Sequence, residues 1–159
     1  MLLSLAPTHT EATFDAGLTV LRDTLAKWGV APEAYVARDG SGLSRNDYLS
    51  ADVLTRLLTV IWREPRLIEP FKSALPQAGV SGTIANQLKD TIGSGRVWAK
   101  TGSMSNVRSL SGYLMTLDDE PIVFSIMATG FHVPASQIDA TMNRALLRLI
   151  KYPRELHEE

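Results

Sequence analysis

Apolar side chains fall at Phe14, Leu18, Leu21, Leu25 and Trp28, steps of 4, 3, 4 and 3 that predict an amphipathic helix over residues 13–28. Gly29 ends it and Pro32 prevents its resumption, leaving 34–37 as a very short strand. Residues 38–46, dense in Gly, Ser and Asp, read as a tight loop. Ser50 is placed to cap a second helix, 51–63, with Val53, Leu54, Leu57, Leu58 and Ile61 inward. Pro65, Pro70 and Pro76 are expected to break the next stretch of chain into short helical pieces, and 83–92 reads as a further helix closed by Gly93-Ser94-Gly95.

Beyond that point the period changes from 3.6 to 2. Strands are predicted at 96–101, at 109–117 and, after the turn Asp118-Asp119-Glu120-Pro121, at 122–129. The last is apolar nearly throughout, which predicts cover on both faces, and the short turn before it predicts an antiparallel pair. Ile138, Met142, Ala145, Leu146, Leu149 and Ile150 define a C-terminal helix starting near Ala135 or Ser136. Helices, then three antiparallel strands, then one helix make an α+β arrangement: a helical part over about 11–95 and a sheet with its helix over about 96–151.

Composition narrows the chemistry. The absence of Cys removes thiol catalysis, iron–sulfur clusters and disulfides, and leaves the compartment undecided. A net charge of −1 with no basic run gives no electrostatic case for nucleic acid or an anionic membrane. No apolar run is long enough for a membrane helix, and the start of the chain lacks the pattern of a signal peptide. His9, His132 and His157 are scattered without metal-ligand spacing, so no metal and no cofactor is implied. Asp118 and Asp119 read as solvated turn residues. Gly42-Leu43-Ser44-Arg45-Asn46 approaches a nucleophile elbow, but Asn46 stands where that turn needs glycine. Gly40-Ser41-Gly42 fails as a dinucleotide loop because Arg45 stands where the last glycine belongs.

Two short strings survive: Ser44-Arg45-Asn46 in the small-residue loop and Lys100-Thr101-Gly102-Ser103 at a strand end. Each alone is ordinary turn or strand-end chemistry. In this order, and within the longer strings Asp39-Gly40-Ser41-Gly42-Leu43-Ser44-Arg45, Ala99-Lys100-Thr101-Gly102-Ser103 and Ser109-Leu110-Ser111-Gly112-Tyr113, they closely resemble the D-alanyl-D-alanine carboxypeptidase/endopeptidase family of penicillin-binding proteins. The resemblance covers about residues 13–150 and is to the branch with large inserted domains. It implies the C-terminal part of a transpeptidase-like domain, with peptidoglycan peptides ending in D-Ala-D-Ala as substrates, β-lactams as inhibitors and an acyl-enzyme intermediate.

The resemblance also implies roles. Ser44 would serve the proton relay, and Asn46 would hold the acyl-side amide. Lys100 and Thr101 would bind the terminal carboxylate. Gly102 would let substrate lie against the strand, and the Ser103 N–H would be an oxyanion donor. Arg45, Trp98 and Arg108 receive no role.

The family's nucleophile motif, S-x-x-K, is missing: Lys27, Lys72, Lys89, Lys100 and Lys151 follow Thr24, Glu69, Asn86, Val97 and Arg148 at that spacing. The chain is therefore expected to be the C-terminal piece of a larger exported, periplasmic or extracytoplasmic enzyme, inactive alone. By the same resemblance the outer edge of strand 122–129 lacks its usual neighbour, so self-association or a complementary chain is expected there. A non-catalytic module that binds peptidoglycan peptides is the alternative. An autonomous hydrolase using Ser44 lacks a His or Asp partner in a recognisable order.

Overall fold

In the computed structural model, which describes residues 13–152, the elements run α1 (Phe14–Lys27), β1 (Tyr35–Val36), β2 (Tyr48–Leu49), α2 (Ala51–Arg63), α3 (Pro65–Ala74), β3 (Val97–Met104), β4 (Val107–Met115), β5 (Pro121–Thr129) and α4 (Ala135–Ile150). The class is α+β, with antiparallel pairing throughout. The chain divides into two compact units at Val60 and Ile61, α2 running from one into the other.

In the first unit, Thr13 starts α1 by accepting the Ala16 N–H at 3.2 Å, and Gly29 at φ +77 ends it. Leu25, Val30 and Val53 form the core, with Leu21, Ala34, Tyr35 and Leu57 packed around them. The Ser50 hydroxyl accepts the Val53 N–H at 3.3 Å, the cap expected for α2. β1 pairs with β2 through Tyr35↔Leu49 and Val36↔Tyr48. Two residues carry no period, so β2 was invisible in the sequence.

In the second unit, Pro65 opens α3 and the helix continues through Pro70 instead of breaking there. One lost N–H removes a single rung, while the ring holds a helical φ. The helix expected over 83–92 does not form. Only Gly82–Ile84 is a 3₁₀ turn, and Leu88 and Asp90 adopt φ 56 and 58, left-handed positions through which no right-handed helix passes. Ile84 and Leu88 still reach the core, carried there by successive turns.

The sheet order is β3-β4-β5. β3 extends beyond its expected end to Met104, and β4 begins earlier, because a tight hairpin joins them with Asn106 at φ 55. One face carries Val97, Ala99, Leu110, Leu114 and Phe124 against Met142, Leu146 and Ile150 of α4. Ala145, expected inward, is exposed, and Leu147 packs against this cluster instead. Cover of β5 is thinner than expected: Phe124 is its one buried residue.

The other face carries Trp98 and Tyr113. Trp62 and Phe71 set their rings 5.2 and 6.3 Å from that of Tyr113, and the Lys72 ammonium lies 4.0 Å over the Trp98 ring. β4 approaches β3 so closely at Gly112 that a Cβ there would stand 2.7 Å from the Ala99 Cα and collide with the Trp98 carbonyl.

Burial pushes the Tyr113 phenol up to about 12. The neutral phenol therefore contributes stability that is complete below the ordinary tyrosine range and is lost as pH rises towards about 12. Ultraviolet titration should show a late tyrosine ionisation that Tyr113→Phe removes and that coincides with unfolding. Ionisation of Tyr113 in the ordinary tyrosine range with the fold intact would contradict this burial.

Candidate active site

Backbone direction alternates along a strand, and in β3 two bonds fix its sense. The Ala99 N–H reaches the Pro76 carbonyl at 3.0 Å, and the Val97 carbonyl accepts the Ala78 N–H at 2.9 Å, so odd-numbered residues point away from β4. The N–H groups of Thr101 and Ser103 therefore also point outward, past the end of the 76–78 segment, and no backbone bond among the described residues takes them. Lys100 curls to the same edge, donating from Nζ to the outward Thr101 carbonyl at 2.7 Å. The Thr101 hydroxyl is backed by Thr83 at 3.3 Å. An ammonium, a hydroxyl and unpaired amides thus share one open strand edge.

Gly102 also serves the packing of the sheet. A Cβ there would meet the hydroxyl of Ser109, its partner on β4, so the glycine makes room for a neighbouring strand.

In the first unit, the loop holding Ser44 and Asn46 is organised by two carboxylates that sequence reasoning left unassigned. Asp47 Oδ1 accepts the Arg38 N–H at 2.6 Å, and Asp39 Oδ1 accepts the Ser41 N–H and hydroxyl, each at 2.7 Å. For Asp39, followed by Gly40 and Ser41, the Asx turn was the available signal in the sequence. The Ser44 hydroxyl accepts the Asn46 N–H at 3.2 Å, while the Asn46 side chain is exposed. The Ser41 hydroxyl, then its N–H, with the Ser44 hydroxyl as a weaker contributor, hold the Asp39 carboxyl below its usual range.

Ser44 and Asn46 belong to the first unit, and Lys100, Thr101, Gly102 and Ser103 to the second. Among the described residues no cluster of His, Asp and Glu could hold a metal, and no helix is long and apolar enough to cross a membrane. His132 is exposed; His9 and His157 lie outside the described residues.

Residues 2–149 match the model of the D-Ala-D-Ala carboxypeptidase 3 (S13) family. The chain belongs to that family. A D-alanyl-D-alanine carboxypeptidase from an Actinomadura species is 38% identical over 145 residues, 88% of this chain and 26% of that protein. A penicillin-sensitive carboxypeptidase A from Dictyostelium discoideum is 32% identical over 92% of this chain and 29% of its own length. The crystal structure of penicillin-binding protein 4 from Haemophilus influenzae superposes with a TM-score of 0.80 at 25% identity, covering 89% of this chain and 33% of that one. The chain thus spans between a quarter and a third of these S13 relatives and carries the family fold over that stretch.

The Asp39 carboxylate stabilises its loop at pH values above the usual carboxylate range, and that contribution disappears as pH falls through its lowered pKa. Amide-shift titration should show Ser41 reporting a midpoint below 3.8 that Asp39→Asn abolishes. A Ser41 midpoint at or above the ordinary value would contradict the hydrogen-bonded loop.

Proposed function

We propose that this chain furnishes the substrate-carboxylate site and part of the oxyanion hole of a serine D-Ala-D-Ala carboxypeptidase acting outside the cytoplasm on peptidoglycan stem peptides. The observation that carries the reading is the outward, unpaired Ser103 N–H on an edge that also presents Lys100 and Thr101. Carboxypeptidase names among the S13 relatives and the crystal structure of the Haemophilus protein with a bound β-lactam agree with it.

In the proposed reaction a serine hydroxyl adds to the carbonyl between two D-alanines. Its proton passes through a relay that includes Ser44 to the departing amine, D-alanine leaves, and water then hydrolyses the ester. The Ser103 N–H would stabilise the tetrahedral oxyanion, a donor whose loss typically costs about 100- to 1,000-fold in rate. Lys100 and Thr101 would hold the terminal carboxylate, and Asn46 the acyl-side amide. This reading requires the Ser44 hydroxyl and Lys100 ammonium to come within direct or one-water reach, about 3 to 6 Å.

The 159 residues contain no S-x-x-K, so the nucleophile must come from a segment outside them. The same segment has a place to dock. β5 is bonded on one side only among the described residues, and Ile122, Val123, Phe124, Ser125, Ile126 and Met127 carry neither charge nor proline. Without that segment the edge would favour self-association.

Fluorescent penicillin should leave the 159-residue chain unlabelled. Addition of a family segment bearing S-x-x-K should produce labelling on that segment, with the amides of 122–129 becoming slower to exchange. Labelling of this chain alone would refute the inert reading and direct attention to Ser44 or Thr24. Stem-peptide binding without restored labelling would favour the non-catalytic binding module.

A further inference from the structure

A recess of about 390 Å³ lies within the first unit and is lined by none of the residues given a role in the proposed reaction. Arg22, Asp23 and Ala26 of α1 form one wall, with Ala26 four and three positions beyond the other two and so on their side of the helix. Residues 35–38 form another, and buried Val30 also lines it. Successive residues of an extended chain face opposite sides, so a recess touched by all four of 35–38 runs along the edge of β1 and not over one of its faces. β2 contributes nothing to the lining, and β1 is bonded to no other strand among the described residues, so this is the free edge of β1.

The edge is held still and its polar groups are unspent. Tyr35 packs against the core of Leu25, Val30 and Val53, and the Arg38 N–H is taken by Asp47 Oδ1 at 2.6 Å. The Ala37 N–H, in a half-buried residue, has no hydrogen-bond partner among the described residues. Neither the Arg22 nor the Arg38 guanidinium makes an ion pair among them, and Asp23 is the one acid on the lining. Two guanidiniums against one carboxylate leave the recess with a net positive charge, while Val30, Ala26 and Val36, the last 40% exposed, give it an apolar part. An inorganic anion would leave that apolar part and the Ala37 N–H unmet. A short extended peptide with a carboxylate side chain meets all three: main chain to the strand edge, carboxylate to the guanidiniums, an apolar neighbour to Val30 and Val36. The volume, near the lower end of the roughly 300 to 1,000 Å³ of ligand pockets, suits such a short segment.

We propose that the recess between α1 and the free edge of β1 is a separate peptide-binding site, which takes an acidic extended segment with its carboxylate between Arg22 and Arg38. Because β1 leads directly into the loop that carries Ser44 and Asn46, the site holds that segment at the root of the loop. Asp23 opposes the arriving carboxylate and moderates the affinity. The inference is independent of the reading of the β3 edge.

The probes are the capped peptide acetyl-Ala-Glu-Ala-amide, which has no terminal carboxylate, and its Gln counterpart, titrated into the isotopically labelled 159-residue chain and followed by NMR. The Glu peptide should shift the Val36 and Ala37 amides and the Arg22 and Arg38 Nε resonances, leave the Thr101 and Ser103 amides in place, and bind more weakly as salt is added. The Gln peptide should bind at least about threefold more weakly. Arg22→Gln, at a half-buried position, should cost about tenfold in affinity for the Glu peptide, as loss of a charge-assisted hydrogen bond does. Arg38→Gln, at an exposed one, should cost about threefold. Asp23→Asn should tighten binding about threefold, an opposite-signed change that a loss of fold cannot mimic. Equal affinity for the Glu and Gln peptides, or affinity for the Glu peptide unchanged in both arginine variants, would overturn the carboxylate site. Shifts at Arg22 and Arg38 with the Ala37 amide unmoved would overturn the strand-edge mode. Shifts confined to Thr101 and Ser103 would place the peptide on the β3 edge and overturn the proposal while leaving that edge as a peptide site.

Discussion

The candidate site depends on which way the backbone of β3 points. Pairing with β4 uses the inward groups of the even-numbered residues, and the outward groups of the odd-numbered ones are taken up only as far as Ala99, by the segment 76–78. From Thr101 onward the edge is open. A backbone N–H is an obligatory donor, so an edge of this kind is completed by water, by another strand or by a ligand. Lys100 adds a positive charge through a bond to the same edge, which favours a ligand that is both peptide-like and anionic.

Close packing on the sheet keeps that edge in position. Gly112 lets β4 lie against Ala99 and Trp98, and Gly102 leaves room for Ser109. Beneath the strand, Val97 and Ala99 are fully buried against the cluster that includes Met142, Leu146 and Ile150 of α4. Shifting the register by one residue would turn these apolar side chains to the opposite face and the outward amides into the sheet. The same alternation that buries Val97 and Ala99 therefore aims the Ser103 N–H outward.

The sequence shows this arrangement unevenly, for physical reasons. The periods of α1, α2 and α4 were legible because each buries one stripe, and the three strands were legible as elements. Residues 83–92 misled: Ile84 and Leu88 are spaced as on a helix, but left-handed Leu88 and Asp90 take the chain through turns, and non-glycine residues in that conformation leave no compositional mark. β2 is too short to have a period. At the site, the S-x-N and K-T-G strings were visible through their resemblance to a family. Asp47 was not, since it accepts from main-chain N–H groups eight and nine residues upstream, a pairing that only the folded loop reveals.

Residue-resolved amide hydrogen exchange along β3 tests the open edge most directly. Lys100 and Gly102 should be protected by β4, and Ala99 by Pro76, while Thr101 and Ser103 exchange much faster, giving an alternating pattern that flattens when a carboxylate-bearing peptide binds. Equal, strong protection of Thr101 and Ser103 in the free chain would mean that the edge is already occupied, and the substrate site could not be where this account puts it.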